Sequence, residues 1–92
     1  MSRARLLRIA GRVQGVGYRD WLVHEARRHG LAGWVRNRGD GTVEALLAGE
    51  EGAVQAVLMA CRRGPPLARV EHIEERLVEP PAEPGFRRLP TA

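Results

Sequence analysis

The chain has 92 residues, 43% hydrophobic and 28% charged, a balance that predicts one globular domain over residues 1–92 and leaves no room for two. No apolar run approaches the ~18 residues of a membrane span, Arg3, Arg5 and Arg8 break up any signal-peptide core, and the single Cys61 excludes a disulfide framework or a cysteine-rich zinc site. All fifteen basic residues are arginine, which excludes lysine-dependent phosphate loops and Schiff-base chemistry, and residues 1–39 carry net +7 against net −3 for residues 40–92.

Leu7, Ile9, Gly11 and Val13 alternate with Arg8, Ala10 and Arg12, the period of a strand over residues 4–13 with one buried face. After Gly15 and Gly17, the spacing of Tyr18, Trp21, Leu22 and Ala26 predicts an amphipathic helix, with Arg27 and Arg28 in its last turn and Gly30 as its stop. Leu31, Gly33 and Val35 form the buried face of a second strand. Arg38-Gly39-Asp40-Gly41 makes a hairpin turn, and Val43, Ala45 and Leu47 line a third strand. A second helix spans about Glu50 to Arg63, with Ala53, Val54, Val57, Leu58 and Cys61 on its apolar stripe, and Gly64-Pro65-Pro66 ends it. Residues 68–78 read as a fourth strand in which Val70 and Ile73 are out of phase, so an irregularity is expected near His72. Three prolines make residues 79–85 a loop, and residues 86–89 are expected as a short edge strand. The order strand, helix, strand, strand, helix, strand is that of an α+β, ferredoxin-like β-α-β-β-α-β sandwich, an antiparallel sheet with two helices on one face.

Two segments can carry chemistry. In residues 11–19 the chain leaves a strand through Gly15 and Gly17 and starts a helix with no Ser, Thr, Asp or Asn at the cap position. The free N–H groups of that first turn can be met by water or by a bound anion, and Arg19 adds a planar, permanent cation suited to phosphate oxygens. Asn37 ends the second strand, where its commonest use is an Asx-type turn, but it also lies where that strand can approach the glycine loop. His24, His29 and His72 lack the spacing of metal ligands, so neither a metal nor a cofactor is expected. Cys61 reads as a core thiol, and Trp34 as a partly exposed ring on the open sheet face.

Gly11-Arg-Val-Gln-Gly-Val-Gly-Tyr-Arg19 followed by Gly33-Trp-Val-Arg-Asn37 resembles the acylphosphatases, as do Asp40-Gly41-Thr-Val-Glu44, Gly49 and Gly64-Pro65-Pro66. The resemblance covers roughly residues 4–78 and weakens after Glu79. It implies a small cytoplasmic monomer that hydrolyses acyl phosphates to a carboxylate and inorganic phosphate without a metal, phosphate being both product and competitive inhibitor. It further implies a phosphate cradle from the backbone amides of Gln14, Gly15, Val16, Gly17 and Tyr18, a phosphate-binding Arg19 and a water-orienting Asn37. Nucleic acid and membrane are not expected partners. Two alternatives remain: a non-catalytic domain that binds acyl or carbamoyl phosphates, for which an attached domain is missing, and an RNA-binding module, for which the aromatic-rich strand motif is missing.

Overall fold

The computed structural model describes residues 4–92. In chain order its elements are β1 (Ala4–Arg12), α1 (Tyr18–Arg28), β2 (Ala32–Asn37), β3 (Val43–Ala48), α2 (Glu51–Arg63), β4 (Arg69–Val78) and β5 (Phe86–Arg88). The strands form one sheet in the order β4-β1-β3-β2-β5. β1 runs antiparallel to β3 and β4, and β2 antiparallel to β3, as a ferredoxin-like sandwich requires.

The buried stripe of α1, Tyr18, Leu22 and Ala26, follows the step of four that keeps side chains on one face of a helix. On α2 the stripe is Val54, Val57, Leu58 and Cys61. Both pack with Leu7 and Ile9 of β1, Val35 of β2 and Val43, Ala45 and Leu47 of β3 into one core. The expected two helices thus cover one face. The helix expected from Glu50 begins one residue later, with Glu50 as its cap.

β3 departs from simple alternation, because all six of its residues are buried. It is the middle strand of five. On its open face Leu46 and Ala48 sit in a small apolar cluster with Ala4, edged by Leu6, Ala32, Trp34 and Val78. Glu44 lies beside them under two arginines. No helix among the described residues is long and apolar enough to cross a membrane.

The irregularity expected near His72 is a register shift: Ala10 pairs with His72 but Gly11 with Val70, leaving Glu71 as the extra residue. Val70 and Ile73 therefore share one face, opposite Gly11 and Ile9, and both pack on the core. A Cβ at Gly11 would lie 2.2 Å from the Arg69 carbonyl oxygen, so the close approach of the two strands at the bulge requires glycine there.

The last segment changes the sheet from antiparallel to mixed. β5 pairs in parallel with β2, Phe86 opposite Gly33 and Arg88 opposite Val35, and ends one residue short of the expected Leu89. The driving burial is Phe86, 1% exposed in the core. Arg27 Nε from the last turn of α1 holds the Phe86 carbonyl at 3.1 Å, and the Leu89 amide donates to the Val35 carbonyl at 2.8 Å.

Candidate active site

The glycine loop between β1 and α1 holds Gly15 at φ 74° and Gly17 at φ 80°, in the left-handed region. A Cβ at either position would meet nothing within 4 Å, so the requirement for glycine is conformational and not one of space. Gly17 is the cap residue of α1 and provides no side-chain hydrogen bond to the first-turn amides, in agreement with the uncapped helix start read from the sequence. Those N–H groups remain available donors at the positive end of the helix dipole.

Two side chains fix this loop. Tyr18 turns its ring into the core, 1% exposed, and its hydroxyl donates to the Cys61 carbonyl at 2.6 Å. Burial drives the phenol far above its ordinary pKa, so Tyr18 offers the site a backbone position and no proton chemistry. Gln14 Nε2 donates to the carbonyls of Arg38 and Thr42, at 2.8 and 2.9 Å. Its side chain therefore ties the loop to the β2–β3 hairpin, a role that lies outside the backbone cradle expected of it.

That hairpin carries Asn37, which is 9% exposed and pairs with Val43. Its backbone carbonyl accepts from the Ala92 amide at 3.0 Å. Its Oδ1 is buried and meets no donor among the described residues. A buried amide oxygen left unmet costs about 1–3 kcal/mol, so it takes a donor from the protein, from ordered water or from a ligand. The Asx-type turn is made by Asp40 instead, whose Oδ1 accepts from the Thr42 amide at 3.0 Å and hydroxyl at 2.6 Å. Those two hydrogen bonds hold the Asp40 carboxyl below its ordinary pKa.

The arginines flanking Asn37 are committed elsewhere. Arg36 Nε and Arg38 Nη1 both donate to Glu44 Oε1, at 2.8 and 3.1 Å. Burial works to raise the Glu44 pKa, but the hydrogen bonds and charges of both arginines outweigh it, and the net shift is downward. The Arg36 guanidinium also lies 4.9 Å from the centre of the Trp34 ring, covering the aromatic that could have stacked a base.

Gly15, Gly17, Tyr18, Arg19 and Asn37 converge on a hollow of about 100 Å³, bordered also by Val13, Asp20 and Arg88. Gln14 and Val16 do not border it; Gln14 braces the hairpin and Val16 packs against the core. Arg88 was not legible as a site residue. Alternation from the core residue Phe86 puts it on the helix-bearing face, but only the parallel pairing with β2 brings that face to Asn37. A larger concavity of about 600 Å³ on the open face, with Arg8, Glu44, His72, Glu74 and Arg76 at its border, has neither the glycine loop nor Arg19. Cys61 is fully buried, and burial pushes its thiol up to about 12 against the opposing pull of the Tyr18 hydroxyl, which leaves it a core residue. No three His, Cys, Asp or Glu among the described residues gather as a metal site would require.

A helix N-terminus, a forked cation and a neutral buried amide around a space this small suit one tetrahedral oxyanion and a hydrogen-bonded neutral molecule beside it. The comparisons with known proteins agree with that chemistry. A family model described as Acylphosphatase matches residues 6–88. The curated acylphosphatase of Acidiphilium cryptum is 64% identical over 88 residues, covering 96% of this chain and 97% of that protein. The crystal structure of an acylphosphatase from Bacillus subtilis is similar with a TM-score of 0.87 and 38% identity, over 97% of this chain and 99% of that one. Full-length HypF, solved in a phosphate- and nucleotide-bound form, matches at a TM-score of 0.90 and 28% identity, over 99% of this chain but 12% of that one.

Proposed function

The chain belongs to the acylphosphatase family of enzymes, and from that premise we propose that it hydrolyses acyl phosphates in the hollow between the glycine loop and Asn37. In this reading the backbone amides of the loop residues that border the hollow, Gly15, Gly17 and Tyr18, and the Arg19 guanidinium hold the phosphoryl group. Phosphoryl transfer needs little covalent help from the protein, because positioning and neutralisation of the equatorial oxygens lower most of the barrier. Asn37 Oδ1 accepts a hydrogen from the attacking water and aims its oxygen at phosphorus, in line with the bond to the acyl oxygen. The P–O bond to the acyl group breaks and its electron pair leaves on the carboxylate. The water contributes oxygen to phosphorus, and its proton passes to a phosphoryl oxygen, giving dihydrogen phosphate. A carboxylate is stable as an anion at neutral pH, so no general acid is needed for its departure.

The observation that carries the reading is that Asn37, whose buried Oδ1 meets no donor among the described residues, borders the same hollow as Arg19 and the two left-handed glycines. A water-orienting acceptor explains why an amide oxygen is buried there without a donor from the protein. The alternative of a domain that only binds acyl or carbamoyl phosphates draws on the HypF likeness, but 28% identity weighs less than the 64% shared with a whole acylphosphatase. Acetyl phosphate hydrolysis assayed in excess chelator is the test. Turnover is expected to persist there, with inorganic phosphate inhibiting competitively. Loss of turnover in chelator and its recovery on adding a divalent metal would overturn the proposal.

A further inference from the structure

Two guanidiniums border the hollow, and the reaction above uses only Arg19. The second, Arg88, stands opposite Val35 in the parallel β2–β5 pair, on the same face as Asn37 two residues further along β2. Its position is fixed from both sides. Phe86 is locked in the core on that face, and the Leu89 amide is bonded to the Val35 carbonyl at 2.8 Å.

The arginines differ in depth. Arg19 is half-buried beside the loop amides, whereas the Arg88 side chain is 45% exposed and its Nη1 is hydrogen-bonded to Asp20 Oδ1, itself 74% exposed. Consecutive residues of α1 thus do different things: Arg19 lies at the loop, while Asp20 holds Arg88 at the rim. An ion pair this exposed contributes only about 0–1 kcal/mol, so another anion can displace Asp20 at little cost.

Size decides what arrives at the rim. A space of about 100 Å³ encloses one small group, far below the ~300 Å³ at which pockets begin to enclose a whole small-molecule ligand. Only the phosphoryl end of an acyl phosphate can be enclosed, and the acyl portion must leave past the rim. We propose that Arg88 is a specificity-determining residue: it releases Asp20 and receives a second anionic group, a carboxylate or a second phosphate, on the acyl portion of the substrate. The preferred substrates are then acyl phosphates that carry an additional negative charge on the acyl chain. This inference rests on the reading of the hollow as the phosphoryl site.

The test compares kcat/KM for succinyl phosphate, which ends in a free carboxylate, with kcat/KM for acetyl phosphate, which does not. Physiological ionic strength screens effects of charge beyond about 8 Å. In Arg88→Gln the succinyl-to-acetyl ratio should fall on the order of tenfold, chiefly through KM, because a charge-assisted hydrogen bond is lost. In Asp20→Asn, where Arg88 has no internal competitor, the ratio should rise. A ratio within twofold of the wild type in Arg88→Gln, or a fall in Asp20→Asn, overturns the role of Arg88. Failure of the wild type to hydrolyse acetyl phosphate at all overturns instead the reading of the hollow, and with it this inference.

Discussion

α2 starts from Glu50, whose Oε1 accepts from the Ala53 amide at 3.0 Å, whereas α1 starts from Gly17 at φ 80° with no side-chain cap. Both helices pack on the same core and both end in two arginines, so the contrast does not follow from their place in the fold. A glutamate cap meets one orphan donor and puts a carboxylate at the positive end of the dipole. α2 is thereby satisfied from within. At α1 no side chain caps the same donors, and the loop supplying them is tied down by hydrogen bonds from Gln14 and Tyr18. The difference teaches that one helix start is closed by its own side chain while the other is left open, which is what the proposed phosphoryl site requires.

The largest effects should come from breaking the open start. Arg19→Ala should lower turnover on the order of 10²–10³-fold, the range for losing a charge-stabilising donor, and should also remove the rise in melting temperature caused by phosphate. Arg19→Lys should restore little, because a point charge cannot reproduce the fork. Asn37→Ala should lose on the order of 100-fold in turnover while its response to phosphate survives. In the wild type, phosphate at ten times its dissociation constant adds roughly 1.4 kcal/mol, or on the order of 5–10 °C for a domain of this size. Phosphate-dependent melting of the two variants measures this, and the reverse pattern would exchange their roles.

Breaking the closed start should affect stability alone. Glu50→Ala is expected to cost about 1 kcal/mol in denaturant unfolding and to leave kcat/KM for acetyl phosphate unchanged. A loss of turnover at unchanged stability would mean that the two helix starts are coupled. The smallest effect concerns another internally satisfied carboxylate, Glu44, beneath the hairpin that carries Asn37. Its folded pKa lies below its unfolded value, so its stabilisation is present above the ordinary glutamate range and disappears as pH falls through the folded pKa. Glu44→Gln should therefore be less stable than the wild type by about 1 kcal/mol near neutral pH, and the two unfolding curves should converge in acid.

Local signals were strong enough to read most of the fold. The helical spacing of Tyr18, Leu22 and Ala26, the Asp40-Gly41 turn and even the phase break between Val70 and Ile73 are short-range patterns that the packing preserves. What escaped the sequence depends on pairing between distant segments. Residues 86–88 look the same whether they add to the sheet in parallel or lie alone, so the mixed sheet and Arg88 at the rim emerge only with the register against β2. The full burial of β3 follows from its central place and from Arg36 and Arg38 folding over Glu44. Around the hollow, the glycines and the uncapped helix start were legible from backbone chemistry, and Arg19 from its place in the first turn. Asn37 had two readings, and only the fold shows that Asp40 makes the Asx-type turn while Asn37 borders the hollow. For Gln14 the sequence supplied a backbone role and no hint that its side chain reaches Arg38 and Thr42.

The pairing of β1 has a kinetic consequence. Of its two partners, β3 pairs at separations of 34 to 42 residues and β4 at 57 to 74, and only the β2–β3 hairpin joins antiparallel neighbours in sequence. Loops must close before such distant contacts reward them, which slows folding relative to a helical bundle of the same length. Gly15, Gly17, Tyr18, Arg19, Asn37 and Arg88 come together around the hollow only when β1, β2 and β5 have docked in one sheet. On the proposed reading, a phosphoryl group therefore meets a complete site only once strands distant in sequence have docked.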